Sequence, residues 1–153
     1  MKSVYLELVM LFEGLHRLFL DVLKIEIDKL SVKDLSNVQA VILYNIGNSQ
    51  LTVGEISNRG YYLGSNVSYN LKKMIESGYV LQKQSTNDKR SVYVSLSSKG
   101  KQVYKKIDDM LQAHVKSLPN NNLDEKDLKL LLEKSRRLET FWSHMLLHSM
   151  RSF

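Results

Sequence analysis

Apolar side chains recur along the first thirty residues at alternating steps of four and three. The members of this seam are Val4, Leu8, Leu11, Leu15, Leu18, Val22 and Ile25. Such spacing places them on one face of an α-helix, so the pattern predicts a long helix over residues 1–30. A second apolar stripe lies beside the seam and consists of Phe12, Phe19, Leu23 and Ile27. A helix that is apolar over so much of its circumference is expected to be buried on more than one side.

Polar capping patterns predict short helices in the next part of the chain. Ser36 and Gln39 match a capping box, in which a hydroxyl and a side-chain amide each satisfy a backbone N–H group. Gly47 is expected to end that helix. Thr52 and Glu55 repeat the pattern and predict a second helix that closes near residue 60.

A third helix is predicted to begin at Ser65 or Asn66, either of which can cap it, and to continue to Gly78. The second and third helices are separated by a tight glycine-containing connection, which is typical of a helix-turn-helix. After Gly78 the pattern changes to strands over residues 79–84 and 91–96, with a polar turn between them. These elements predict a winged helix-turn-helix, a mostly α (α+β) fold.

Two further helices are predicted after the hairpin. Ser97 can cap the first, which is expected to end at Pro119, and Asp124 can cap the second. Like the first helix of the chain, the last one has too many apolar positions for one narrow stripe. These positions are Leu128, Leu131, Leu132, Leu138, Phe141, Trp142, Met145, Leu146 and Met150.

The excess positive charge is concentrated in one stretch of the chain. The 153 residues carry a formal net charge of +6. Residues 65–106 contain nine basic and two acidic side chains, a net charge of +7, whereas the rest of the chain sums to −1. A continuous basic segment is the electrostatic footprint of a polyanion-binding surface, although a solvated basic face would give the same count.

Composition and motifs exclude several function classes. The chain has no cysteine, which excludes disulfides, thiolate zinc sites and thiol nucleophiles. We find neither a secretory signal nor the roughly 18 apolar residues of a membrane span, so we expect a soluble cytoplasmic protein without a membrane partner. His144 and His148 are spaced like a metal pair but have no third ligand nearby in sequence. Because phosphate loops and hydrolase motifs are missing as well, we expect no metal, no cofactor and no enzymatic activity.

The stretch DKRSVYVSLSSKG at residues 88–100 resembles the wing signature of MarR-family transcription regulators, written loosely as D-x-R-x-x-x-V-x-L-T-x-x-G. The matching positions are Asp88, Arg90, Val94, Leu96 and Gly100. Ser97 replaces the usual threonine with another hydroxyl cap. Residues 51–57 and 65–80 resemble the family's first helix-turn-helix segment and its recognition helix. The recognition helix lacks the arginine that many relatives carry, and it is similar to a subgroup linked to control of L,D-transpeptidases.

The resemblance implies a domain plan and a homodimer. It implies that residues 1–30 form a dimerisation helix, residues 31–100 the DNA-binding lobe, and residues 101–153 the C-terminal dimerisation helices. The surplus apolar surface of both terminal helices agrees with pairing across a two-fold axis, although the two helices could instead pack on each other within a monomer. Such a dimer is expected to bind a pseudo-palindromic operator in double-stranded DNA.

Candidate DNA contacts lie on the predicted recognition helix. They are Ser65, Asn66, Ser68, Tyr69, Asn70, Lys72 and Lys73. Asn66 and Asn70 are four residues apart and so share one helical face. An asparagine amide can both donate to and accept from an adenine edge. The serines and Tyr69 can contact phosphate or a base, and Lys72 and Lys73 are expected to contact phosphate or only solvent.

The resemblance also implies a wing contact and an effector site. In the family the wing arginine enters the minor groove and the preceding aspartate positions its guanidinium, which assigns these roles to Arg90 and Asp88. Lys89 is expected to follow the phosphate backbone. Family members commonly bind a small phenolic or aromatic acid between the dimerisation helices and the DNA-binding lobe. The side chains expected to line such a pocket are Phe12, His16, Phe19, Tyr44, Tyr61 and Tyr62, although ordinary core or dimer contacts would also explain these residues.

The function predicted from the sequence is a ligand-released, homodimeric repressor that recognises specific double-stranded DNA. Two alternatives use the same fold, since a fold does not determine a function. One is a winged-helix module that binds RNA or a partner protein. The other is an architectural DNA binder, which would bind DNA with the same salt dependence but without sequence preference.

Overall fold

The computed structural model describes residues 1–30, 32–60, 64–85 and 91–150. The elements in this part of the chain are α1 (Lys2–Lys29), α2 (Asn37–Ile46), β1 (Leu51–Thr52), α3 (Val53–Gly60), α4 (Gly64–Glu76), β2 (Val80–Gln84), β3 (Val92–Leu96), α5 (Ser98–Ser117) and α6 (Glu125–Met150). A short 3-10 helix at Leu118–Asn121 follows α5. Two compact units result, Met1–Leu111 and Gln112–Phe153. The first unit contains the winged helix-turn-helix, which confirms the predicted fold.

The helices α2 and α3 start at the predicted capping boxes. In the first, Ser36 Oγ accepts a bond of 3.2 Å from the Gln39 backbone N–H, and Gln39 Oε1 accepts one of 2.9 Å from Ser36. In the second, Glu55 Oε2 lies 2.7 Å from the Thr52 backbone nitrogen, and Thr52 Oγ1 lies 3.3 Å from the Glu55 nitrogen. These bonds satisfy donors that a helix start leaves without partners. Gly47, with φ of +56°, ends α2 as predicted.

The recognition helix α4 begins at Gly64 rather than at a polar cap. Ser65 and Asn66 therefore lie in its first turn, and the prediction that either of them caps the helix is wrong. Its C-terminal end follows the prediction. Gly78 has φ of +77° and donates to the Ile75 carbonyl at 3.0 Å, while Tyr79 donates to the Met74 carbonyl at 2.9 Å. This pair of bonds is a Schellman motif, which requires the left-handed conformation that glycine adopts without strain.

The sheet has three antiparallel strands in the order β1-β3-β2. The β2–β3 hairpin was predicted, and its register pairs Val80 with Leu96 and Gln84 with Val92. The strand β1 was not predicted, because a strand of two residues shows no alternation of apolar and polar positions. It pairs Leu51 with Val94 on the other edge of β3.

The two apolar stripes of α1 have different environments in the chain. Leu23 and Ile27, from the second stripe, are buried in the core of the first unit together with residues from α2 to α5. All seven residues of the predicted seam are exposed, at 36% to 66% of their full surface. Within the first unit, α1 is therefore buried on one side and exposed on the other.

The helix α6, taken by itself, also exposes apolar side chains along its length. These are Leu128, Leu130, Leu131, Leu132, Phe141, Met145, Leu146 and Leu147. Asp124 caps this helix as predicted, since its Oδ1 accepts a bond of 2.8 Å from the Asp127 backbone N–H. Of the helices that the structure describes, none combines the length and apolar character needed to cross a membrane.

Gly100 lies in the first turn of α5, where the helix crosses the start of β2. A Cβ atom at this position would lie 2.2 Å from the Tyr79 carbonyl oxygen and 3.3 Å from the Leu96 Cβ. The Gly100 N–H donates to Ser97 Oγ at 3.0 Å, so Ser97 caps α5 as predicted. The glycine is required here because the Tyr79 carbonyl, just before β2, occupies the space of a side chain.

We predict that Gly100→Ala lowers the free energy of unfolding by about 1–3 kcal/mol, because the methyl group would push α5 away from β2. Gly54→Ala in α3 is the matched control. A Cβ at Gly54 would have Thr52 Oγ1 as its nearest neighbour, at 4.0 Å, so stability should change by less than about 1 kcal/mol. Urea unfolding followed by circular dichroism measures both variants. Equal stability of the two variants would contradict this account of the α5–β2 contact.

Candidate nucleic-acid interface

The helix α4 has one buried face and one exposed polar face. The buried side chains are Val67, Asn70, Leu71 and Met74. Most of the residues predicted to contact DNA point outwards, namely Ser65, Asn66, Ser68, Tyr69, Lys72 and Lys73. The helix thus presents hydroxyl, amide and ammonium groups on one side, which are the groups that hydrogen-bond to base edges and phosphates.

Asn70 does not share the exposed face with Asn66, contrary to the expectation from their spacing. Asn70 is only 7% exposed, and its Nδ2 donates to the Asn66 backbone carbonyl at 2.9 Å and to Asn66 Oδ1 at 2.8 Å. The reason is that the core-facing side of α4 includes Asn70 as well as apolar residues, so it is wider than the apolar pattern predicts. Asn70 therefore contacts the base-reading candidate Asn66 and not the solvent.

Tyr69 and Lys73 form a second pair on the exposed face. Tyr69 is 62% exposed, and the Lys73 Nζ lies 5.7 Å from the centre of its ring. At this distance the ammonium group is attracted to the negative face of the aromatic ring. The pair places a cation beside a hydroxyl group on the same helical face.

The hairpin β2–β3 projects from the sheet next to α4. At its outer end the Ser85 N–H donates to the Ser91 carbonyl at 2.8 Å. The residues of β2 after Val80 are exposed, including Lys83. The predicted wing contacts Asp88, Lys89 and Arg90 lie outside the described residues.

A cluster of Asp34, Tyr79 and Lys99 links the segments that carry this interface. The Tyr79 hydroxyl donates to Asp34 Oδ1 at 2.6 Å, and the Lys99 Nζ lies 3.2 Å from Asp34 Oδ2. Lys99 also donates to the Ser77 carbonyl at 2.9 Å and lies 3.9 Å from the centre of the Tyr79 ring. The cluster connects the segment before α2, the end of α4, the start of β2 and the first turn of α5.

Sequence analysis did not identify this cluster, because its members are 45 and 65 residues apart and no local pattern links them. Lys99 had been counted in the basic segment, but its ammonium group is engaged by Asp34. The Tyr79 hydroxyl is the main cause that lowers the pKa of Asp34, and Lys99 lowers it further, while partial burial opposes both. Burial and the Asp34 carboxylate raise the pKa of Tyr79.

The residues predicted for an effector pocket are not brought together by a described cavity. Phe12, His16 and Phe19 lie on α1, with Phe12 half-buried and the other two exposed. Tyr44 on α2 is half-buried, stacks on Tyr104 with ring centres 5.2 Å apart, and donates to Asp108 at 3.0 Å. Tyr61 and Tyr62 lie outside the described residues. No group of three His, Asp or Glu side chains suited to a metal ion occurs within the described part.

Two cavities of the first unit are lined by other residues. One, of about 300 Å³, lies between the end of α1 and α5 and is lined by Glu26, Ile27, Leu30, Lys106, Ile107, Asp109 and Met110. The other, of about 500 Å³, lies between α4 and the sheet. It is lined by Val53, Ser68, Leu71, Lys72, Ile75, Glu76, Gln82, Val92 and Val94.

Comparison with known proteins relates the whole chain to transcription regulators. A family model described as "Winged helix DNA-binding domain" matches residues 35–100, which include α4 and the hairpin. The chain is 35% identical over 140 residues to the "Exopolysaccharide II synthesis transcriptional activator ExpG" of Rhizobium meliloti (strain 1021). This alignment covers 92% of the chain and 72% of that relative.

Solved structures share the fold at lower sequence identity. The Staphylococcus aureus MarR in complex with salicylate and kanamycin is 20% identical with a TM-score of 0.73, covering 93% of this chain and 94% of that one. The Streptococcus pneumoniae FabT in complex with DNA is 22% identical with a TM-score of 0.66, covering 89% and 97%. The resemblance of the recognition helix to the L,D-transpeptidase-linked subgroup stays a prediction.

We predict that Asp34→Asn lowers stability at neutral pH but not in acid. Because the folded pKa lies below the ordinary value of 3.8, the carboxylate stabilises the fold above that value, and this contribution is lost as pH falls through the folded pKa. The gap between the unfolding free energies of wild type and variant should be below about 1 kcal/mol at pH 7, since Asp34 and Lys99 are about half exposed.

Urea unfolding at a series of pH values from 7 downwards measures this gap. Tyr79→Phe removes the hydroxyl donor and keeps the ring. In a Tyr79→Phe protein, the change in unfolding free energy caused by Asp34→Asn should therefore depend less on pH. A gap that is the same at every pH would rule out an effect of the Asp34 charge.

Proposed function

The chain belongs to the MarR family of winged-helix transcription regulators, and from this premise we propose that it binds a specific operator as a homodimer. The observation that carries the proposal is the exposed face of α4, where an amide, hydroxyls and two lysines are presented by a helix whose other side is buried. In a winged helix this element enters the major groove, in which each base pair shows a distinct donor and acceptor pattern.

The wing is the second proposed contact. Arg90 would enter the minor groove with Asp88 holding its guanidinium group, and Lys89 would lie along the phosphates. A narrow minor groove concentrates negative potential and so attracts an inserted arginine. These residues fall between β2 and β3 in the sequence, and Lys83 on β2 is exposed, which supports this part of the proposal.

The homodimer is supported by apolar surface on α1 that the first unit does not cover, and by apolar surface on α6 taken by itself. The α1 seam exposes seven large side chains over 28 residues, and α6 exposes another eight. Monomeric soluble proteins rarely leave continuous apolar patches of this kind in water. A two-fold dimer built on these helices would place two recognition helices about 34–36 Å apart, on a pseudo-palindromic operator.

We propose repression as the effect of operator binding, released by a small aromatic acid. Release requires that the ligand bind better to the dimer conformation that cannot hold DNA. Salicylate is bound to the Staphylococcus aureus MarR of the same fold, which supports this ligand class. An operator complex that is unchanged by millimolar salicylate and related acids would refute the ligand part of the proposal.

Activation is the second candidate effect, because the relative that is 35% identical is named a transcriptional activator. A reporter gene behind the selected operator and its native promoter separates the two effects. Expression falls with the protein present if it represses, and rises if it activates.

Selection of bound duplexes from a random-sequence DNA pool at physiological salt tests the central proposal. We expect enrichment of a pseudo-palindrome with half-sites one helical turn apart, bound at least about 10³-fold more tightly than random duplex. An unenriched pool would contradict the proposal and favour an architectural or RNA-binding role.

We predict that Leu18→Glu dissociates the dimer. Leu18 lies in the middle of the α1 seam and is 62% exposed in the isolated chain. An unpaired carboxylate buried in an interface costs several kcal/mol, so the dimer dissociation constant should rise by at least about a hundredfold. Analytical ultracentrifugation measures the change. Arg17→Glu, on another face of the same helix where the side chain is 65% exposed, should leave the dimer intact.

If Leu18→Glu sedimented as a dimer like the wild type, the α1 seam would not be the interface. Loss of the dimer in both variants would indicate instead that α1 itself had been disturbed.

A further inference from the structure

The hydrogen bonds between Asn70 and Asn66 determine which end of the Asn66 amide is available to DNA. Asn70 Nδ2 lies 2.9 Å from the Asn66 backbone carbonyl oxygen, an atom that can only accept. The atom of Asn70 at this position must therefore be the nitrogen, which has two hydrogens. One hydrogen is given to the carbonyl, and the other points to the Asn66 side chain at 2.8 Å.

Only an acceptor can meet that second hydrogen. The Asn66 atom 2.8 Å away is accordingly the amide oxygen Oδ1, and the opposite orientation would set two N–H donors against each other. Asn66 is exposed, and among the described residues no acceptor for its Nδ2 is found. The remaining hydrogen-bonding capacity of this amide is thus mainly that of a donor.

We propose that Asn70 is a positioning residue that turns Asn66 into a hydrogen-bond donor toward the major groove, and so sets base preference at one position of each half-site. The inference rests on the proposed function, since it requires that α4 enters the major groove. It also replaces the sequence-based expectation that Asn66 and Asn70 both read an adenine edge.

The chemistry of base edges gives the expected preference. Guanine presents two acceptors in the major groove and thymine one, and neither presents an N–H group there. Adenine presents one acceptor, N7, but beside an amino donor that would face the Asn66 NH₂ group unfavourably, and cytosine presents only an amino donor. Guanine or thymine is therefore expected at the position that Asn66 contacts.

The same geometry reduces the cost of binding for Asn66. Asn70 is 7% exposed and held by α4 itself, so it keeps the Asn66 side chain in one rotamer before DNA arrives. A side chain that is already ordered loses less conformational freedom when it forms a contact.

The first experiment locates the contact with the full-length wild-type protein and Asn66→Ala, each used to select duplexes from a random pool. The position whose base preference disappears in Asn66→Ala is the one read by this amide, and we expect guanine or thymine there in the wild-type selection. If Asn66→Ala changes no position although the wild type enriches an operator, the inference is overturned and the proposed function stands. If the wild type enriches nothing, both fail.

The second experiment tests the direction of the bond by measuring binding of the wild-type protein, at the position that Asn66→Ala has located. At the located position, 7-deazaguanine removes the N7 acceptor of guanine, 6-thioguanine weakens its O6 acceptor, and 4-thiothymine weakens the acceptor of thymine. We expect the analogue of the acceptor that Asn66 uses to weaken binding roughly fivefold, as loss of one hydrogen bond would. Unchanged affinity with every analogue of the preferred base overturns the inference.

The third experiment reverses the polarity of the positioning bond. In Asn70→Asp the carboxylate can only accept, so the Asn66 amide should turn its NH₂ group inwards and present its oxygen to DNA. The preferred base should change to adenine or cytosine, which offer amino donors. A purely structural role of Asn70 would weaken all sequences equally and leave the preference unchanged.

Asn58→Asp, at an exposed position of α3, is the matched control because it makes the same change of charge without touching Asn66. It should leave the order of preferred bases unaltered. If Asn70→Asp unfolds, Asn70→Ala takes its place. This variant frees the Asn66 amide to rotate, and the discrimination between guanine or thymine and the other two bases should fall roughly fivefold. Retained discrimination in a folded Asn70→Ala protein overturns the inference.

Discussion

Tyr79 lies where four parts of the DNA-binding lobe meet, and its backbone or side chain contacts each of them. Its N–H closes the last turn of α4, and its carbonyl accepts a bond of 3.0 Å from the Ser97 N–H at the end of β3. The same carbonyl is packed against Gly100 in α5, and its buried ring ends in a hydroxyl held by Asp34. Each of these contacts involves a different part of the lobe. Displacing one part would therefore strain the contacts that Tyr79 makes with the others.

This junction defines the geometry of the surface that we propose to face DNA. The helix α4 ends and the hairpin begins within three residues, so both elements are held by one short stretch of backbone. A helix for the major groove and a wing for the minor groove can act together only if their separation is constant. The Lys99 ammonium group, which bonds to Asp34 and to the Ser77 carbonyl, adds a charged contact at the same place.

Two polar groups inside or beside the core show how the lobe combines stability with recognition. The buried amide of Asn70 would be costly without partners, and it offsets that cost by two bonds to Asn66. Tyr79 is 1% exposed and directs its hydroxyl to Asp34. In both cases the bond that satisfies a buried group also orients a residue nearer the surface.

Local patterns in the sequence were sufficient for much of the fold. The capping boxes at Ser36 and Thr52 and the glycine at residue 78 act through bonds that span three to five residues, so the sequence around each of them contains all the atoms involved. The wing signature likewise contains Ser97, which caps α5, and Gly100, which leaves room for the Tyr79 carbonyl. The long α1 was equally clear, because its apolar spacing is that of a helix.

What the sequence by itself determined is therefore the order and type of the elements other than β1, and the family to which they belong. Only the tertiary structure decided that Asn70 faces inwards, that Lys99 is engaged by Asp34, and that the first unit leaves the α1 seam uncovered while it buries Leu23 and Ile27. The physical reason is distance along the chain. Helix caps and periodicity depend on neighbours a few residues away, whereas burial and charge pairing depend on residues up to 65 positions apart that only folding brings into contact.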